Sequence, residues 1–194
     1  MQPETFYHIY NRGNNKQRIF FYRDNYLFFI RKIRKHLLPH LHLIAYCLMP
    51  NHFHLLAYPK ESIVPVKFSN DLRVMLRSYT RAINNQEKRT GSLFQQHTKI
   101  KPLEGSGATT TSHTMTSSHS MTSAEFYPFV CFHYIHQNPL KAGLVMNMKD
   151  WEMSSFCDYA GLRQGTLCAK KLAYELLDIP SNPTSFIHQS VKVV

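Results

Sequence analysis

Tyr46-Cys-Leu-Met-Pro-Asn-His-Phe-His-Leu-Leu-Ala-Tyr58 carries the turn and strand signals that set the topology. It reads as a β-hairpin with Met49-Pro50-Asn51 at its bend, where proline presets φ and asparagine tolerates turn geometry. Side chains on a strand alternate between faces with period two. His52 and His54 therefore point one way, and Phe53, Leu55 and Ala57 point the other way into a core. Two imidazoles side by side on a rigid strand make half of a metal site.

Working outward, 41–48 is the first arm of the hairpin and 52–58 the second. His40 and His42 are read as partly exposed histidines of the first arm. Upstream, Phe6-Tyr-His-Ile-Tyr-Asn-Arg12 reads as a strand stopped by Gly13, and Asp24 as the N-cap of a helix over 25–38 that Pro39 ends. That helix carries Leu27, Phe28, Ile30, Ile33 and Leu37 at helical spacing, with Arg31, Lys32, Arg34 and Lys35 as a solvated basic face. Downstream, Phe68, Leu72, Met75, Leu76, Tyr79 and Ile83 mark a helix over 67–88 with a second basic side, Arg73, Arg77 and Arg81. Thr90-Gly91 breaks it, and 92–100 is a candidate fourth strand. The Ser/Thr-rich stretch 104–124 cannot bury enough apolar area to offset chain entropy and is predicted to be a mobile loop, with His113 and His119 incidental to it. A helix is predicted over 125–138, ending before Pro139, and another over 169–177. The final dozen residues read as a loose tail. The domain division expected is 1–146, followed by a C-terminal helical extension and tail over 147–194.

The bulk numbers narrow the class of partner. In 194 residues there are 23 Lys+Arg against 12 Asp+Glu, a net charge of +11, which suits a polyanion such as nucleic acid. Hydrophobic residues make up 43%, enough for a globular core. The four cysteines form no C-x-x-C pair, so neither a zinc ribbon nor a disulfide framework is indicated. No apolar run is long enough to span a bilayer and no secretory signal pattern opens the chain, so a reduced, cytoplasmic protein is expected.

The other half of the site is sought on the helix over 125–138. Residues four apart stack on one helix face, and Tyr134 and Asn138 have that spacing in Tyr-Ile-His-Gln-Asn-Pro. The helix thus presents a phenolic oxygen and an amide oxygen in one direction. Gln137 lies about 100° around and is set apart from them. His-Phe-His preceded by Met-Pro-Asn, with Tyr134-Ile-His-Gln-Asn-Pro-Leu-Lys-Ala-Gly-Leu-Val downstream, resembles the single-tyrosine HUH transposases. The opening Tyr-His-Ile-Tyr-Asn-Arg-Gly and Arg89-Thr-Gly-Ser-Leu-Phe-Gln95 look most like the branch associated with repetitive extragenic palindromes (REP). The resemblance runs over about residues 6–146.

That resemblance implies an α+β ferredoxin-like sandwich: an antiparallel central sheet with helices on one face, plus here a C-terminal helical extension. It implies His52, His54 and Asn138 as metal ligands and Tyr134 as the nucleophile. The activity implied is cleavage and rejoining of single-stranded DNA near hairpins, through a 5′-phosphotyrosine and a free 3′-hydroxyl. Imidazoles alone would favour zinc or another transition metal, whereas amide and phosphate oxygens suit magnesium or manganese; the resemblance implies Mg2+ or Mn2+. Partners expected are single-stranded DNA with palindromic hairpins and, in the dimeric relatives, a second copy of the chain; monomers also occur in this branch.

Arg12, Lys16, Arg18, Lys99 and Lys101 are candidates for phosphate contacts, and Tyr10 and Phe94 for stacking on unpaired bases. Two segments depart from the resemblance: Gln96-His97-Thr98 stands where basic and aromatic residues are usual, and the Ser/Thr-rich loop is longer. Two other functions compete. A catalytically retired hairpin-binding protein would keep the same residues. A nucleotide hydrolase of the histidine-triad type needs a third histidine where this chain has Leu56.

Overall fold

A computed structural model of the chain describes residues 1–103 and 123–193, with side chains omitted over 123–126. The expected loop over 104–124, with His113 and His119, lies almost wholly outside the described residues. The hairpin forms where it was expected: β2 (Leu41–Met49) turns at Pro50-Asn51 into β3 (His52–Pro59). β1 (Tyr7–Arg12) pairs antiparallel with β3, and β4 (Lys99–Pro102) antiparallel with β1, giving the sheet order β2-β3-β1-β4. With α1 (Arg23–His36) between β1 and β2, and α2 (Pro65–Gln86) between β3 and β4, this is the ferredoxin-like α+β arrangement.

Period-two alternation divides the sheet's residues between two cores. Ile9, Phe53, Leu55 and Ala57 face α1 and α2 and pack with Phe29, Ile33, Phe68, Leu72, Met75, Tyr79 and Ile83. The α2 stripe is the one predicted. The α1 stripe is turned by about one position: Asn25, Phe29 and Ile33 are its buried residues, and Leu27 and Phe28 flank them half-buried. The helix opens one residue before Asp24 because the Asn25 side chain, not Asp24, closes its N-terminus, accepting from the Phe21 and Tyr22 amides at 3.0 Å each. The opposite face of the sheet does not stay open. Ile44, Ala45, Cys47, Met49 and Leu56 are covered by α3 (Ser123–Lys141) and by the C-terminal extension, through Phe132, Ile135, Phe156, Tyr159 and Phe186.

Two further expectations are corrected. Of the candidate strand over 92–100 only Lys99 and Ile100 fall in β4, which runs on to Pro102; Leu93 and Phe94 leave the strand line to enter the first core, and Phe94 makes one isolated bridge to Gly13, just past β1. The α3 helix does not stop before Pro139 but continues to Lys141. Proline forfeits one amide donor, and packing of Phe132, Ile135, His136 and Gln137, all buried, outweighs the preference at Asn138. Gly143, at φ 67°, then ends the turn that Ala142 N to Asn138 O (2.9 Å) and Leu144 N to Pro139 O (3.0 Å) close.

The tail is not loose. After α4 (Phe156–Tyr159) and α5 (Lys170–Leu176), residues Pro183–Lys192 form α6, with the Asn182 side chain accepting from Ser185 N at 3.1 Å. Phe186 has no exposed surface and sits among Phe132, Phe156 and Tyr159. We therefore expect Phe186→Ala to cost about 3–5 kcal/mol in urea unfolding, the range for deleting a buried aromatic. A change near zero would return the segment to a dangling tail.

Candidate active site

The β1–β3 register sets the site. Arg12 lies opposite His52, Tyr10 opposite His54, and His8 opposite Leu56. Lys99 and Lys101 of β4 continue the rows beside Tyr10 and His8. Directly paired residues share a face, so His8, Tyr10, Arg12, His52, His54, Lys99 and Lys101 all project toward α3. That helix is buried on nearly every side; its open line runs through Tyr127, Tyr134 and Asn138. Tyr134, 40% exposed, lies over the histidines, its ring centroid 5.6 Å from His54 and 6.2 Å from His8, both edge-on at 80°.

Together these residues line a cavity of about 350 Å³: Tyr10, Arg12, His52, His54, Lys99 and Tyr134, with Asn11, Gln95 and His97. Asn11, Gln95 and His97 also line an adjoining cavity of about 570 Å³ that reaches Arg73 and Arg77 of α2. A trough thus runs from the histidines around the β4 edge of the sheet to a basic helix.

The helix over the site is held from behind. His136 Nε2 meets Ser155 Oγ at 2.7 Å, and that hydroxyl accepts from Tyr46 N of β2 at 2.9 Å. Gln137, turned away from the site as expected, donates from Nε2 to Ser190 O at 3.1 Å and to Val193 O. Asp158, buried, is clamped in two-point fashion by Arg163, which also donates to Tyr46 Oη at 2.9 Å. The extension therefore ties α3 to β2, the strand next to the histidines.

The chemistry of the donors suits a divalent cation. Burial, then the Arg12 charge, lowers His52 to about 4. Burial, then the charges of His8, His52 and Arg12, lowers His54 to about 2. Burial, then Lys101, lowers His8 to about 4. All three rings are neutral at pH 7, the form that binds metal. His52 Nδ1 donates to Asn51 Oδ1 at 2.6 Å, and His54 Nδ1 is engaged by His8 Nε2 at 2.9 Å. The Nε2 of each cavity-lining ring is left for another ligand. Asn138 does not line the cavity; its Nδ2 donates to Tyr134 O at 2.7 Å, which leaves Oδ1 as its acceptor. Among the described residues no three His, Cys, Asp or Glu side chains converge on one point. The set fits a cation held by two imidazoles and completed by oxygen ligands, not a closed structural site.

The predicted residues therefore divide. His52, His54, Tyr134, Arg12 and Lys99 meet around one cavity. Lys101 stands at its margin, its Nζ 5.9 Å from the Tyr10 ring centroid. Lys16 and Arg18 are exposed on the turn after β1 and do not line the cavity. Tyr10 is in the cavity; Phe94 is not, being 6% exposed and packed against Phe53, Tyr79 and Phe29, although it lines part of the adjoining cavity. His40 is not a strand histidine: it precedes β2, is buried, and bonds Asp71 at 2.7 Å. Missed by sequence reasoning were His8, Asn11, Gln95 and His97. The period-two signal in β1 could have placed His8 with Tyr10 and Arg12, had the pairing of β1 with β3 been known.

The buried histidines also set the acid response. His54 and His133 are lowered to about 2 and about 4, and His136 well below its ordinary value, all chiefly by burial. Their folded values lie below the unfolded one, so the unfolded chain binds more protons and stability falls as pH drops from about 6.5 toward 4. We expect urea unfolding to show a loss of roughly 2 kcal/mol each for His54 and His133 between pH 7 and pH 4.5, with His136 adding in the same direction. Equal stability at the two values would contradict it.

No family model and no curated protein matches the sequence. Among solved structures, that of a REP-associated tyrosine transposase bound to a REP hairpin superimposes with a TM-score of 0.55 at 17% identity, covering 83% of this chain and 81% of that one. At that identity the likeness is one of fold. No helix among the described residues is long and apolar enough to cross a membrane.

Proposed function

We propose that the protein is a single-tyrosine DNA transposase or nickase that cuts and rejoins single-stranded DNA beside hairpins. The observation that carries this reading is the meeting of Tyr134 with His52 and His54 around one basic cavity, on a fold shared with a transposase whose structure holds hairpin DNA. Tyr134 Oη bonds to the scissile phosphorus as the P–O3′ bond breaks. The phenolic proton leaves, the departing 3′ oxygen takes one up, and the phosphodiester is conserved as a 5′-phosphotyrosine for the rejoining step. His52 and His54, with Asn138 Oδ1 one turn beyond Tyr134, are the residues that would hold Mg2+ or Mn2+. Such an ion polarises the scissile phosphate and offsets the charge developing on it. Arg12 and Lys99 neutralise phosphates inside the cavity, and Lys101, Lys16 and Arg18 contact the strand outside it. The adjoining cavity, with Arg73 and Arg77, receives flanking unpaired nucleotides. The chain acts in the cytoplasm, as a monomer or homodimer.

The test is to incubate the protein with a palindromic single-stranded oligonucleotide and Mn2+, then denature. A covalent protein–DNA adduct is expected. Hairpin binding without any adduct would favour the retired, binding-only reading. Arg12→Ala and Lys99→Ala should each flatten the salt dependence of DNA binding by a slope of about one; unchanged slopes would remove them from the phosphate path.

A further inference from the structure

We propose that His8 is a positioning residue that fixes which nitrogen of His54 is free to bind a cation. The inference rests on the reading of His54 as a ligand and extends it to a residue outside the ligand set. His8 and His54 are diagonal neighbours on one face of the β1–β3 pair, since His54 lies opposite Tyr10 and His8 opposite Leu56. Diagonal side chains of this length reach each other. Their rings stack, with centroids 5.0 Å apart and planes 24° from parallel, and His8 Nε2 lies 2.9 Å from His54 Nδ1.

A nitrogen–nitrogen hydrogen bond holds one proton. A neutral imidazole has one N–H and one lone pair, so only two arrangements exist. If His8 donates, His54 Nδ1 accepts and the His54 proton sits on Nε2, closing that nitrogen to a cation. If His54 donates, its Nε2 keeps the lone pair. The neighbouring ligand has no such freedom: Asn51 Oδ1, an acceptor only, bonds His52 Nδ1 at 2.6 Å and forces the proton onto that nitrogen. The Asn51 amide orientation is itself supported, because its Nδ2 donates to Lys16 O at 3.3 Å. His8 acts on His54 as Asn51 acts on His52. It accepts at Nε2, carries its own proton on Nδ1, and leaves two matched Nε2 lone pairs on adjacent rings of β3. His8 does not line the cavity, so it works through His54 and not on the substrate.

The experiment reads the tautomers and the cation separately, without DNA. Long-range 1H–15N NMR on the metal-free protein at pH 7.5 is expected to show His54 protonated on Nδ1 and His8 on Nδ1. In His8→Ala the His54 proton moves predominantly to Nε2, and Mn2+ affinity measured by electron paramagnetic resonance falls about 10- to 100-fold, the usual cost of losing such a partner. In His8→Gln, whose side-chain carbonyl can accept, the Nδ1 proton and most of the affinity return; this variant also decides the matter if His8→Ala fails to fold. A wild-type His54 proton on Nε2, or Mn2+ affinity unchanged in His8→Ala, overturns the proposal. The tautomer measurement needs neither DNA nor metal, so the transposase reading can fail in the adduct assay while this one stands, and the reverse.

Discussion

Tyr134→Phe is expected to abolish the covalent adduct, lowering strand cleavage by at least about 10⁴-fold, while hairpin binding stays unchanged. The phenol oxygen is the only heavy atom removed, and in the proposed reaction it is the one that bonds phosphorus, so the loss expected is that of a nucleophile. The ring remains in its edge-on contacts with His54 and His8, and α3 remains tied through His136 and Gln137 to Ser155 and Ser190. A gel of denatured reaction mixtures, beside a binding isotherm for the same oligonucleotide, checks both halves. Residual adduct in the variant would mean that another hydroxyl attacks, and Tyr10, which lines the same cavity, would be the next to replace.

His54→Ala should be nearly as severe, about 10³-fold in cleavage, by a different route. It removes one of the two imidazoles proposed to hold the cation and, with it, the partner of His8. Raising Mn2+ should recover part of the activity, which no concentration of metal can do for Tyr134→Phe. Thermal stability at neutral pH should fall modestly, because the change empties a buried site and leaves His8 Nε2 without its partner. A loss of cleavage with no metal dependence would place His54 in the scaffold rather than at the cation.

The two histidines and the tyrosine were legible because each obeys a local period: two along β3 for His52 and His54, and 3.6 along α3 for Tyr134 and Asn138. The α2 stripe was legible for the same reason. What escaped depends on pairings distant in sequence. His8 belongs to the site only because β1 lies against β3, a contact spanning 46 positions. Asn11, Gln95 and His97 enter because the chain after α2 breaks from strand geometry, drawn by Leu93 and Phe94 into the first core. That same burial takes Phe94 out of the histidine cavity and leaves it on the wall of the adjoining one. The tail is a different case. Asn182 before Pro183 is a readable helix start, and Phe186 a readable anchor, but the polar residues around them suggested a loose segment. The stop expected at Pro139 failed because a weak backbone preference met a helix buried on most of its faces.

The most direct test of the central claim is tandem mass spectrometry of the digested adduct formed with a palindromic single-stranded oligonucleotide and Mn2+. A nucleotide phosphate is expected on the peptide containing Tyr134, at that residue alone. Attachment at any other side chain, or hairpin DNA bound with no attachment at all, would contradict it.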